Sequence, residues 1–378
     1  MKKRSTIYLV TFVLFLSLFV SCSKDDSVVD QPTLKSASSH GKVPTDKKGN
    51  VNVTVSEFVN EIMYPRGLKF GPDGYLYVAT AGIGGNNSTN CDQVIPPVGP
   101  YTGGYTSSIV KVSPDGVVSN VATGLPSAMD AMGSTLGVAD VAFIGNQLYA
   151  LLNAGCSHGI PDYPASVIKV NNDGTWSVVA NISEYLANNP VAAPEEDDFE
   201  PDGSLYSLLN VRGNLYAIEP NHGELMKITT DGMITRVLDF SAHYGHIVPT
   251  AMAFHGNFYV GNLSTFPLVE GNSNIYKVTP GGDVQIWAKG FAGILGVAFD
   301  AQNRMYVLET SAPGIDIQNP IIPFTGKVTR VNNDGSKDVI VDGLFFPTGM
   351  TFGPDGALYI SNTGFGPPTG QILKVTFN

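Results

Sequence analysis

Cysteine is scarce in this chain, with three in 378 residues, and no Cys-x-x-Cys pair or zinc-ligand spacing occurs among them. A zinc-built core is therefore excluded. Histidine is nearly as rare at six, no Gly-x-Ser-x-Gly elbow is present, and no nucleophile stands in a recognisable pairing with a base. Charge amounts to 15% of residues and is acidic in balance, with 22 Lys and Arg against 33 Asp and Glu. An acidic chain repels phosphate backbones, which removes nucleic acid from the expected partners. The apolar run Ile7 to Phe19 is too short to span a bilayer stably.

What the chain does have is one hairpin written six times. It reads GLKFGPDGYLYVA from Gly67, DVAFIGNQLYALL from Asp140, LLNVRGNLYAI from Leu208, AMAFHGNFYVG from Ala251, GVAFDAQNRMYVL from Gly296 and GMTFGPDGALYIS from Gly349. Each copy carries a Tyr at the same place (Tyr77, Tyr149, Tyr216, Tyr259, Tyr306, Tyr359), at spacings of 72, 67, 43, 47 and 53 residues. Those spacings lie at or above the roughly 40–50 residues of a four-stranded propeller blade. A second repeat follows each of the first five hairpins and places a basic residue in its opening strand: Lys111, Lys169, Lys227, Lys277 and Arg330, with Lys374 as the sixth. Asp-Gly, Gly-Asn and Gly-Gly turns close both hairpins of a unit. The fold expected is all-β, a six-bladed propeller of four-stranded antiparallel blades spanning residues 50–378.

The sixth unit ends at its third strand. Val51 to Val59 alternates like a fourth strand, and Tyr64-Pro65-Arg66-Gly67 repeats the register of Phe346-Pro347-Thr348-Gly349. Pairing that N-terminal strand with the last blade leaves no open sheet edge, so the ring is expected to close this way.

Upstream of the propeller, Lys2, Lys3 and Arg4 followed by the apolar run read as a secretion signal over residues 1–21. Without those three residues the basic count falls to 19 against 33 acidic, a net charge of −14. Leu18-Phe19-Val20-Ser21-Cys22 resembles a bacterial lipobox with Phe in its first position, which makes Cys22 the expected lipidation site. Ser23-Lys24-Asp25-Asp26 resembles the export signal of Bacteroidota surface lipoproteins. Residues 22–49 then form a lipidated Cys and a polar, flexible tether. The expected location is the outer membrane, exposed at the cell surface. The remaining cysteines, Cys91 and Cys156, follow the second strands of blades one and two. An oxidising compartment permits a disulfide between them, and the spacing does not decide it.

In a meander, first-to-second and third-to-fourth turns share one end of the blade. Here all of those are tight. The long segments (80–106, 122–137, 153–165, 181–203, 241–249, 262–273, 309–325 and 362–370) all belong to the opposite face, where a ligand or partner is expected. First strands open there with Arg66, Asp140, Tyr206, Thr250, Leu295 and Thr348, and second strands end there with Thr80, Asn153, Glu219, Asn262, Glu309 and Asn362. The candidate ligand-binding residues are Arg66, Asp140, Glu219, His246, Thr250, Asn262, Glu309 and Asn362. No catalytic residue and no resident cofactor are assigned. Ca²⁺ is the metal such an Asn and Glu ring would suit, and amides capping loop backbone are the plainer alternative. His243 and His246 have helical ligand spacing without a third ligand nearby in sequence. The run Glu195 to Asp202 reads as a solvated acidic loop.

From about Val51 to Asn378 the chain resembles the ScyD/ScyE family of secreted NHL-like propellers. The residues that carry the resemblance are PRGLKFGPDGYLYVATAG at Pro65, GVADVAF at Gly137, VPTAMAF with FYVGNLSTFP from Val248, and PTGMTFGPDGALYISNTG with TGQILKV at the C-terminus. The family pattern places acidic residues after the first and fourth Leu-Tyr-Val-type strands and a His before the Asp of blade two. This chain has Thr80, Asn262 and Ala139 there and keeps Glu309 and Asp140. The resemblance implies a propeller without an established catalytic role. The leading expectation is a surface-anchored module that binds a ligand, glycan or protein through its long-loop face. A metal-dependent envelope hydrolase or lactonase is the alternative, and it requires Asp140 and Glu309 to converge with amides on one point. A quinone-dependent sugar oxidoreductase ranks last, because Arg66 alone fits its needs.

Overall fold

The period-two alternation of the repeats matures into strands that pack blade against blade. The computed structural model describes residues 51–378 except 89, 90, 92, 93, 95, 97, 197, 198 and 316–318. The expected signal segment, Cys22 and the tether lie outside the described residues. The described strands form six antiparallel sheets arranged as a six-bladed propeller, five sheets of four strands and one of five. The last blade is closed by Val53–Met63, which runs antiparallel to Thr369–Phe377 from Val53↔Phe377 to Met63↔Thr369. This closing strand is longer than the expected 51–59. No helix among the described residues is long and apolar enough to cross a membrane.

Second strands are sandwiched between neighbouring blades, and every residue of Leu76–Thr80, Met305–Glu309 and Leu358–Asn362 is buried. Fourth strands face solvent on one side, as the alternating exposure of Val284–Phe291 shows. These second strands are therefore buried along their whole length and mostly apolar, with polar residues at their long-loop ends, whereas the fourth strands alternate.

The repeated Tyr and the repeated basic residue turn out to be one unit. All six are directly opposite one another across the second and third strands: Tyr77↔Lys111, Tyr149↔Lys169, Tyr216↔Lys227, Tyr259↔Lys277, Tyr306↔Arg330 and Tyr359↔Lys374. Where the preceding turn holds an Asp, the Tyr hydroxyl donates to it, as Tyr77 does to Asp73, Tyr306 to Asp300 and Tyr359 to Asp355. The ring itself packs edge-on against a Phe of the next blade: Tyr77 on Phe143, Tyr259 on Phe299, Tyr306 on Phe352 and, across the closure, Tyr359 on Phe70, with centroids 4.9–5.2 Å apart. These contacts hold the blades together at the tight-turn end.

The opposite face departs from the expected plain loops. Blade one extends into a long ribbon, Thr102–Val112 against Val118–Met129, and Thr135–Leu136 adds a fifth strand. Residues 102–106 and most of 122–137 are thus paired backbone. The ribbon lies close on blade two because Gly103 has no Cβ, which would come within 2.2 Å of the Gly159 carbonyl oxygen. Short helices Ile182–Asn188 and Ser241–Tyr244 occupy two other connections. Cys91 and Cys156 are joined in a disulfide with Cα atoms 5.9 Å apart, tying the first two blades on this face.

Candidate functional site

The six first strands reach the long-loop face around a narrow mouth. Three of them begin X-Pro-X-Gly or X-Pro-X-Ala, at Tyr64, Val248 and Phe346, and all three leading residues have positive φ (39°, 56° and 43°). For a β-branched residue such as Val248 this conformation is strained and must be imposed by its surroundings. The residue after each proline bonds a carbonyl beyond its own strand. Thr250 donates through Oγ1 to the Ile294 carbonyl and Thr348 to the Pro65 carbonyl at 2.6 Å, both in the next blade, whereas Arg66 donates through Nη2 to the Thr135 carbonyl in the fifth strand of its own blade. Asp140 serves its own junction by accepting from Leu208 N–H (2.9 Å) and Val141 N–H (2.9 Å). Gly67 makes room for it, since a Cβ there would stand 2.1 Å from Asp140 Oδ1.

Tyr206 spans the mouth. Its hydroxyl donates to the Thr348 carbonyl at 2.6 Å, linking blade three to blade six. Burial raises its pKa far above the ordinary phenol value, although Arg66 nearby opposes that, so the hydroxyl stays a donor. Cavities lie on either side of this bar. The inner one, about 30 Å³, is lined by Asp140, Lys69, Tyr206, Leu295 and Thr348 and has room for about two waters. The outer one, about 100 Å³, is lined by Arg66, Asp130, Thr135, Tyr101, Tyr206 and Phe365, among others.

Arg66 is 6% exposed and its guanidinium lies 4.5 Å from the centroid of Phe365. Burial pulls its pKa down, against the opposing influence of Tyr206, Tyr64 and Asp130. Asp130 accepts from Met132 and Ser134 N–H on Oδ1, and burial raises its pKa despite those bonds.

The other expected site residues do not gather at the mouth. Glu219 accepts Ser204, Asn221 and His222 N–H groups and faces His222 Nδ1 at 3.1 Å. Burial alone would raise its pKa, but His222 and the N–H donors hold it below the ordinary value. Glu309 accepts Ala292 N–H and faces Lys327 Nζ at 3.5 Å, and burial, the largest influence, raises its pKa. Asn262 bonds Ile247 O and Asn274 N, and Asn362 accepts Phe345 N–H. His246 follows the helix Ser241–Tyr244 and is half-buried. Of the eight, Arg66 lines the outer cavity and Asp140 the inner one, and the remaining six line neither.

This donor set does not fit a divalent cation. Asp140 and Glu309 share no partner, each has a lysine ammonium beside it (Lys69 at 3.8 Å, Lys327 at 3.5 Å), and the ring hydroxyls are spent on carbonyls. Among the described residues no group of three or more His, Cys, Asp or Glu is arranged to hold a metal.

Several residues at this face carry no sequence signal. Asp130, Thr135 and Phe365 reach the mouth from the long connections, as does Tyr101. The acidic run is only partly solvated. Glu200 is 6% exposed, accepts from Tyr101 Oη at 3.2 Å and faces buried His158 Nε2 at 3.5 Å, while Asp202 Oδ2 accepts from Ser157 N–H and Oγ. The loop is thereby docked beside the disulfide.

No family model and no curated protein matches the chain. Among solved structures it is similar to a protein of unknown function from Bacteroides thetaiotaomicron (TM-score 0.55, 11% identity, 86% of this chain and 76% of that one). It is also similar to a gluconolactonase from Xanthomonas campestris (TM-score 0.52, 12% identity, 89% and 98%) and to regucalcin, a calcium-binding protein from Agrobacterium tumefaciens (TM-score 0.52, 12% identity, 84% and 91%). At these identities the likeness shows the shared six-bladed propeller fold.

Proposed function

We propose that this chain is a ScyD/ScyE-like propeller lipoprotein that works as a binding module, taking its ligand at the long-loop mouth. The observation that carries the reading is the outer cavity. A buried guanidinium stacked on Phe365 lines it, and the walls come from connections that differ in every blade. The hydrolase reading gains nothing from the geometry, because Asp140 and Glu309 keep separate partners. The lipid at Cys22 and the cell-surface location rest on the sequence pattern.

Thermal unfolding of the full chain in detergent against neutral sugars, small acids and amines tests the binding reading, since a ligand of the native state raises Tm by mass action. Stabilisation that Phe365→Ala abolishes is expected. Stabilisation indifferent to Phe365→Ala places the ligand elsewhere and overturns it. For the anchor, labelled palmitate is expected to enter the wild type and not Cys22→Ala. Equal labelling removes the lipoprotein assignment.

A further inference from the structure

Three equivalent positions at the mouth each bond a backbone carbonyl, with unequal equipment. Thr250 and Thr348 bond the next blade with a single hydroxyl, whereas Arg66 bonds the fifth strand of its own blade with one of five N–H donors. That one bond does not explain the guanidinium. Among the described residues Arg66 forms no ion pair, although a buried cation is costly without a counter-charge. Phe365 lies over the guanidinium and Nη2 donates to the Thr135 carbonyl, so it is the remaining N–H groups that a carboxylate would take. A second, independent feature lies in the wall of the same cavity. Thr135 lines it and is 1% exposed, and its Oγ1 is buried without a hydrogen-bond partner. Such an orphan is rare enough to call for an explanation.

We infer that the outer cavity binds a small carboxylate bearing a hydroxyl or amino group at its other end, Arg66 and Thr135 taking the carboxylate and Asp130 the donor. The inference rests on the mouth being the ligand site. Asp130 sets its limits: a carboxylate in the same small cavity repels a dianion such as phosphate and welcomes a hydrogen-bond donor. Tyr101, Leu136, Leu205 and Phe365 supply apolar walls that admit only a few heavy atoms in about 100 Å³.

The test is calorimetry and thermal unfolding of the full chain with L-lactate, glycine, acetate, D-glucose and inorganic phosphate. L-lactate or glycine is expected to bind at least about tenfold more tightly than acetate, and glucose and phosphate to give no shift. Thr135→Val is the informative variant. Its lost hydroxyl has no partner in the free protein, so Tm without ligand is expected to hold or rise while affinity falls about tenfold. Arg66→Lys keeps the charge and loses the paired donors, with a larger loss expected, and Asp130→Asn is expected to erase the preference over acetate. Glucose binding that Phe365→Ala abolishes but Thr135→Val and Arg66→Lys leave intact would overturn this inference and spare the binding module. No shift with any acid, or acid binding unaffected by Thr135→Val, would overturn it outright.

Discussion

The two faces of the ring obey different rules. At the tight-turn end the same arrangement returns six times, a Tyr opposite a basic residue and, in five blades, packed on a Phe of the next. At the long-loop end no two connections are alike, and three similar Pro-led openings end in Arg66, Thr250 and Thr348 with different surplus chemistry. A blade must fit both neighbours whatever the protein does, so the packing face is bound to repeat. A recognition face has one ligand to meet and is free to vary.

The sharpest way to break this contrast is to open the ring. Deleting residues 51–59 removes most of the strand paired with Thr369–Phe377 and exposes a sheet edge. Loss of cooperative unfolding by circular dichroism is expected, larger than any change at the mouth. A chain that unfolds cooperatively at an unchanged Tm would show that closure is not what stabilises the ring.

Within the repeated face, Tyr306 is fully buried between blades five and six and packs on Phe352 at 5.0 Å. Tyr306→Ala is expected to cost about 3–5 kcal/mol in denaturant unfolding, the usual range for a truncated core aromatic. The matching experiment on the variable face is Cys156→Ser, which frees a loop spanning 65 residues. Loss of about 2–4 kcal/mol is expected. If the cysteine variant proved the costlier, the mouth would be a structural element as much as a recognition one.

The repeated face was legible from the chain because its constraints are local and periodic. Tyr positions, basic positions and turn residues recur at fixed offsets, and the closing strand follows from register. The mouth was legible in outline only. Arg66 and Asp140 were found because they open first strands, but Asp130 and Thr135 reach the cavity through a ribbon whose Gly- and Pro-rich sequence reads as loop. Glu200 sits in a run of like charges that reads as solvated, and only the three-dimensional position of His158 and Tyr101 gives it partners. Glu219, Glu309, Asn262 and Asn362 lie at strand ends facing the right way, yet their bonds go to nearby backbone and to His222 and Lys327.

That docked loop is expected to make the stability of the variable face depend on pH. Burial pushes the His158 pKa down, but Glu200 and the Ala154 carbonyl outweigh it and the net shift is upward. His222 behaves alike, with burial opposed by Glu219 and a net rise. A raised histidine pKa contributes stability that is complete below its unfolded value near 6.5 and is lost as pH rises through the folded value. Tm is therefore expected to fall as pH rises above about 6.5, and His158→Gln to flatten that slope while lowering Tm at pH 6. An unchanged slope in the variant would assign the effect to other groups.

The smallest effect returns to the repeated unit and divides it. Lys111 faces Asp73 at 3.7 Å and lies 4.7 Å from the ring centroid of Tyr75, but the pair is a third exposed and screened by water and salt. Lys111→Met keeps most of the aliphatic stem against the aromatic rings and removes the charge. A change below about 1 kcal/mol is expected, vanishing at high salt. The Tyr half of the unit then carries the packing, and the basic half keeps the outer end of the blade wetted by water. A loss comparable to that of Tyr306→Ala would mean instead that the charge itself holds neighbouring blades together, and the repeated face would be as electrostatic as the mouth.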